Sequence, residues 1–202
     1  DEIARIRRAC GLADAAFAHV RGLIMPGMTE LQVALEIEFF FRRQGAGVAF
    51  PIISVAGPRS ARPHGVPSEA ILHDGDYLTL DFGATLDGYH SDITRTVVVG
   101  RASDRHREVY DRVLTAQLAA LAAMRPGVVA GDVDRAAREA LGDLAEFFTH
   151  GLGHSLGRLV HDGGGLRAGS ETVLEAGQVW TVEPGVYLEG FGGARIEDDV
   201  VA

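Results

Sequence analysis

Cysteine is all but missing: Cys10 stands alone in 202 residues. No intrachain disulfide can form, and nothing in the thiol content points to an oxidising compartment. Cys10 itself reads as a small core residue on a helix, not as a catalytic thiol. Basic residues are also few: 19 Lys and Arg face 28 Asp and Glu, a net charge of −9. They are scattered along the chain, which excludes the clustered electrostatic footprint of a nucleic-acid binder. No apolar run approaches the roughly 18 residues that a membrane span needs, and the opening DEIARIRRAC is too charged for a secretory signal. The expectation is a cytoplasmic protein with no nucleic-acid and no membrane partner.

A hydrophobic content of 47% excludes a disordered chain and suffices for one sizeable domain. Ile3, Ile6, Ala9, Ala13, Phe17 and Val20 recur at helical spacing, predicting an amphipathic helix over residues 2–23 that ends before Pro26-Gly27. Thr29 is a candidate N-cap for a second helix over 30–43, with Gly45 as its stop. Short apolar runs and turns follow from Val48 to about Gly100, and another helix runs from Ser103 to Met124 before Pro126-Gly127.

The chain then repeats itself. LIMPGMTELQVALEIEF and AMRPGVVAGDVDRAARE share a helix end, a Pro-Gly turn and a second helix, with Pro26 and Pro126 as equivalents. YLTLDFGATLDGYHSDITRTVVV is echoed by VWTVEPGVYLEGFGGARIEDDVVA, so that Asp81 aligns with Glu183 and Asp92 with Glu197. Solenoids need three or more short units, so the pattern is one α+β domain built from two related halves about a pseudo-twofold axis.

These four acids sit in or beside apolar, strand-like segments. A lone carboxylate there costs several kcal/mol of desolvation unless it is paired or bound to a metal. Singly, each could pair with an arginine such as Arg95 or Arg195. Together, and repeated in both halves, they are better explained as oxygen ligands that two divalent cations would neutralise. Asp87, Asp198 and Asp199 read instead as turn or exposed-strand residues. The segment FFTHGLGHSLGRLVHDGGG adds His150, His154 and His161, and Gly153 and Gly157 beside His154 allow close backbone approach. The glycines also argue against a helix between His150 and His154. His64, between Pro63 and Pro67 in ARPHGVPS, is held on a stiffened loop.

LDFGATLDGYHSDITRT, HGLGHSLGRLVHD, TVEPGVY and GGARIEDDV together resemble the metallopeptidases of the pita-bread fold: methionine aminopeptidases, Xaa-Pro aminopeptidases, Xaa-Pro dipeptidases (prolidases) and creatinases. The resemblance spans essentially the whole chain. It implies a dinuclear metal centre held by Asp81, Asp92, His154, Glu183 and Glu197, with Asp92 and Glu197 bridging the two ions. It also implies that His64 and His161 contact substrate and assist catalysis, that Glu183 is the general base, and that Arg195 stands near the site. Carboxylate and imidazole ligands without thiolate suit Mn or Co ahead of Zn.

SVAGPRSARPHGVPS, YHSDITRTVVVG and RIEDDV resemble the Xaa-Pro branch. VHDGGG departs from the family pattern, with Asp162 where a glutamate is usual and without the proline that follows. The resemblance therefore implies an Xaa-Pro aminopeptidase acting on peptides with a free N-terminus. The alternatives are an Xaa-Pro dipeptidase, then a methionine aminopeptidase, then an inactive binding module. Residues 1–202 form one catalytic domain on this reading, without the N-terminal domain common among Xaa-Pro relatives, and a homodimer is a compatible assembly.

Overall fold

The computed structural model describes residues 1–202. Helix α1 (Glu2–Arg21) is capped by the Asp1 carboxylate, and α2 (Glu30–Arg43) by a reciprocal pair in which Thr29 Oγ1 accepts from Gln32 N and Gln32 Oε1 accepts from Thr29 N. The first helix stops at Arg21, short of Leu23, because the chain turns back through Leu23 N and Ile24 N onto the Val20 carbonyl. Strands β1 (Gly47–Val48), β2 (Ile53–Ala56), β3 (Tyr77–Phe82), β4 (Ala84–Leu86), β5 (Tyr89–His90) and β6 (Ile93–Val98) complete the first half. Helices α3 (Asp104–Ala123) and α4 (Ala130–Leu141) open the second. It continues with β7 (Gly153–His154), β8 (Gly165–Leu166), β9 (Val179–Val182), β10 (Gly185–Leu188), β11 (Gly192–Arg195) and β12 (Asp198–Val201).

The repeat is carried into three dimensions. The buried face of α1 is Ile6, Ala9, Ala13, Ala16 and Val20, and that of α3 contains His106, Val109, Val113, Ala116 and Ala120, each displaced by the same interval. Val33, Ile37 and Phe41 of α2 correspond to Val133, Ala137 and Leu141 of α4 in the same way. The small alanine faces let α1 and α3 lie close to the sheets; Ala16, not the bulkier Phe17, is the fully buried residue of its turn. After each Pro-Gly turn the chain is tied to a downstream loop by the same bonds: Gly27 N to Leu72 O at 2.9 Å, and Gly127 N to Leu174 O at 2.8 Å. Two large hydrophobic cores result, with a small cluster of Ile6, Tyr89, Leu156 and Val179 beside them. One joins α1, α2 and β3 through Ile37, Phe41, Leu78 and Phe82; the other joins α3, α4 and β9 through Val113, Leu141, Trp180 and Val182. Each large side chain so buried contributes roughly 1.5–3 kcal/mol.

The helices leave the strands to meet at the centre. β3 lies antiparallel between β2 and β6, with Asp81 opposite Ile53 on one side and Thr94 on the other. β9 pairs antiparallel with β12, and β10 with β11. The halves are joined where Glu197 N donates to the Thr94 carbonyl at 3.1 Å and Thr96 Oγ1 exchanges hydrogen bonds with the Arg195 backbone at 2.9 and 3.0 Å. In each half one acid lies at the end of a strand (Asp81 last but one in β3, Glu183 just after β9) and the other immediately precedes its partner strand (Asp92 before β6, Glu197 before β12). Antiparallel pairing therefore brings both acids of a half to the same end, and the pseudo-twofold axis brings the two halves together.

Candidate metal centre

The four acids and His154 converge on a cleft of about 400 Å³, whose wall also includes His64 and His161. A larger cavity of about 600 Å³ lies against α3 and contains one acid, Asp111, so its size does not make it the chemical centre. In the cleft, His154 Nε2 stands 3.6 Å from Asp92 Oδ2 and 3.6 Å from Glu183 Oε1. Ligand atoms of Asp92, His154 and Glu197 all lie within 4.8 Å of one another. His154 Nδ1 donates to its neighbour's carbonyl at Ser155, 3.2 Å away, which leaves Nε2 as the bare lone pair facing the carboxylates. Burial, and then His161, lowers the His154 pKa to about 4, so the ring is a neutral ligand and not a cation.

The acids are costly neighbours. Burial pushes Asp92 up, reinforced by Glu197 and Asp81, and burial pushes Glu197 up, reinforced by Glu183 and Asp81. Glu183 rises to about 8 through burial, against the pull of Arg195. Asp81 is raised by burial, with Arg195 acting the other way. Asp81 Oδ1 and Asp92 Oδ1 are buried with no hydrogen-bond partner. Orphaned oxygens, mutually opposed ionisation and one unprotonated imidazole nitrogen make a donor set that hard divalent cations fit, and Asp81, Asp92, His154, Glu183 and Glu197 are the groups that would hold them.

The remaining polar atoms fix these side chains in place. Thr94 Oγ1 donates to Glu197 Oε2 at 2.6 Å and Thr181 Oγ1 to Glu183 Oε1 at 3.2 Å. His154 N donates to Thr181 Oγ1 at 3.0 Å, and Gly153 beside it has no room for a side chain: a Cβ there would lie 2.0 Å from the Thr181 carbonyl oxygen. Arg195 is 2% exposed and donates to Asp81 Oδ2 at 2.6 Å, to Thr94 Oγ1 at 3.0 Å, to Tyr187 Oη at 2.8 Å and to the Pro63 carbonyl at 3.3 Å. The arginine pairing that would explain a lone acid is thus present at Asp81, and Arg195 Nε lies 4.0 Å from Glu183 Oε2, but one guanidinium cannot offset four carboxylates. Arg95 pairs with Asp198 instead.

His64 and His161 are exposed at the cleft, and the His161 ring centroid is 4.1 Å from that of His154. The loop bearing His64 is anchored by a group that no motif singles out. The fully buried Glu30 carboxylate accepts from Ala56 N, Arg59 Nε, Ser68 N and Ser68 Oγ at 2.8–3.0 Å. His150 stands outside the cleft lining. Its Nδ1 donates to the Gly151 carbonyl at 2.8 Å, so its Nε2 accepts from the Tyr187 hydroxyl at 2.7 Å, behind Arg195. Asp87 is an exposed turn residue at φ 52°, as expected. Asp199 is a correction: its carboxylate is not turned to solvent. Oδ2 accepts from Asp92 N at 2.9 Å and from Cys10 Sγ at 3.2 Å, so it is held between the Asp92 backbone and α1. Cys10 is accordingly only half-buried in the core sense and carries a polar partner.

Residues 4–202 match the sequence profile of metallopeptidase family M24. An Xaa-Pro dipeptidase from Pyrococcus furiosus is 41% identical over all of this chain and 59% of its own length. Among solved structures, an Xaa-Pro dipeptidase from Bacillus anthracis superposes with TM-score 0.97 at 46% identity, covering 100% of this chain and 57% of that one. An X-Pro aminopeptidase from Thermotoga maritima superposes at 0.96 with 43% identity, covering 99% and 58%. The chain therefore spans less than two thirds of the length of these relatives. With the profile match across nearly every residue and the paired halves superposing at this level, the fold is the pita-bread arrangement and the chain belongs to metallopeptidase family M24.

Proposed function

We propose that residues 1–202 form the catalytic domain of an Xaa-Pro dipeptidase with a two-cation centre at Asp81, Asp92, His154, Glu183 and Glu197. The observation that carries the reading is the convergence of these five donors, with two carboxylate oxygens left unpartnered, at the floor of a cleft walled by apolar side chains together with His64 and His161. Two divalent cations bound there would supply Lewis acidity and bring the pKa of water towards neutrality. Mn or Co suits the thiolate-free donor set ahead of Zn.

The chain's own groups account for the rest. Phe50, Pro51, Ile53 and Val160 offer an apolar wall for a proline ring. Glu183, held by Thr181 Oγ1, takes the proton of the attacking water and returns it to the imide nitrogen as the bond breaks. His161 and His64 donate hydrogen bonds to the scissile carbonyl as negative charge develops on its oxygen. Arg195 holds Asp81 and the Pro63 carbonyl in one hand, so the ligand and the His64 loop keep their spacing.

The dipeptidase reading stands ahead of the aminopeptidase reading on the names of the Pyrococcus and Bacillus relatives, and the Thermotoga neighbour keeps the second one in play. Ala-Pro, Ala-Pro-Ala and Met-Ala-Ser, offered to chelator-stripped protein with Mn, Co or Zn added back, separate them. Metal-dependent cleavage of Ala-Pro, with Ala-Pro-Ala cut more slowly, is the expected result. Preference for the tripeptide would make the protein an aminopeptidase, and cleavage of Met-Ala-Ser alone would overturn both proline readings.

A further inference from the structure

Asp92 occupies an unusual main-chain position. It falls between Ser91, whose N and Oγ are tied to Ala84, and Ile93, the first residue of β6 in register with Phe82. Its own N–H lies outside the β3–β6 pairing and donates to the Asp199 carboxylate at 2.9 Å. Asp199 sits in β12 opposite Thr181, two residues beyond Glu197, so one side chain spans from the strand of one acid to the backbone of the other. The same Oδ2 accepts from the Cys10 thiol of α1, and Asp199 Oδ1 is buried without a partner. A buried carboxylate with one oxygen left unbonded is not what fold stability alone selects.

We infer that Asp199 is a positioning residue for the cation site: it fixes the Asp92 backbone so that the Asp92 carboxylate meets His154 and Glu197, and Cys10 holds Asp199 in that rotamer. The inference rests on the reading of these acids as cation ligands. It gives the single cysteine a role through its S–H donor; burial and Asp199 keep that thiol protonated. Groups that orient a ligand from behind are worth about 10–100-fold in metal affinity.

The test is calorimetric titration of Co²⁺ into chelator-stripped wild type, Asp199→Ala, Asp199→Asn and Cys10→Ala, with the visible d–d bands of bound Co²⁺ recorded alongside. Asp199→Ser is carried in parallel against poor folding of the alanine variant; its hydroxyl is too short to reach the Asp92 N–H. The expected result is two equivalents in wild type, about 10–100-fold weaker binding of at least one equivalent with altered d–d bands in Asp199→Ala and Asp199→Ser, and recovery in Asp199→Asn, which keeps the acceptor. Cys10→Ala should shift affinity in the same direction by less. A role in fold stability alone would lower the melting temperature and leave affinity and spectrum unmoved, and that outcome overturns the inference. So does an Asn variant as impaired as Ala, which would assign the effect to charge. Wild type that takes up no Co²⁺ overturns the cation reading and this inference together, whereas wild-type uptake matched by Asp199→Ala overturns the inference alone.

Discussion

Asp92→Ala should abolish metal-dependent peptide hydrolysis, by about 10³-fold or more in kcat, while the metal-free protein melts no lower than wild type. Both halves of that expectation come from the same geometry. Asp92 Oδ2 faces His154 Nε2 at 3.6 Å and its Oδ1 meets no donor, so that oxygen contributes no hydrogen bond that the fold would lose. Its charge is opposed by burial and by Glu197, Asp81 and Asp199 in turn, so deleting it relieves the metal-free fold. An ordinary buried residue behaves in the opposite way, since large-to-small changes in a core commonly cost 2–5 kcal/mol. Parallel measurement of turnover and thermal melting distinguishes the two. Retention of more than a few per cent of wild-type turnover with metal still bound would sink the five-ligand assignment.

Chelator-stripped protein should lose thermal stability as pH rises from about 6.5 to 8, and added Mn²⁺ or Co²⁺ should reverse the trend. Glu183 has its pKa raised in the fold to about 8 and Asp199 to about 7, both first by burial. An acid raised in the fold binds its proton more tightly folded than unfolded. Its stabilising contribution is full below the unfolded pKa and is lost as pH climbs through the folded one. His150 and His154 act in the other direction, because burial lowers both to about 4. Their contribution is present above the unfolded value near 6.5 and fades as pH falls below it. Between about 4.5 and 6.5 the two sets oppose each other, and above 6.5 the acids act alone. For a domain of this size each ~1 kcal/mol moves Tm by about 2–4 °C, well within the reach of calorimetry. Cations favour the ionised acids, so their stabilisation should grow over the same interval. A metal-free melting temperature that is flat or rising from pH 6.5 to 8 would show that the acids are ionised without strain and have no need of a counter-ion.

Much of this architecture is legible in the chain because its signals are local or repeated. The Thr29 and Gln32 cap, the Pro-Gly turns and the alanine-rich faces of α1 and α3 declare themselves within a few residues. The acids declare themselves because each occurs twice in the same surroundings, Asp81 with Glu183 and Asp92 with Glu197. What escapes sequence reading depends on packing between distant segments. DDVVA carries nothing to show that α1 covers Asp199, since the shielding group, Cys10, lies 189 positions away. Phe17 outranks Ala16 on hydrophobicity, yet the close approach of α1 to the sheet favours the smaller residue. Glu30 looks like an ordinary first-turn acid until the loop bearing Arg59 and Ser68 closes over it. Arg195 could be read as the partner of an acid or as a neighbour of a metal centre, and its four-way hydrogen bonding shows the first does not preclude the second. The distinction between dipeptidase and aminopeptidase escapes for another reason: solved structures bearing either name superpose on this chain almost equally, at TM-scores of 0.97 and 0.96.

Anomalous diffraction from Mn²⁺-soaked crystals tests most directly whether two cations lie among these five side chains. Two peaks roughly 3.5–4 Å apart, flanked by Asp81, Asp92, His154, Glu183 and Glu197 with Asp92 and Glu197 touching both, is the predicted result. A single peak, or density for Mn²⁺ only outside this cleft, would contradict it.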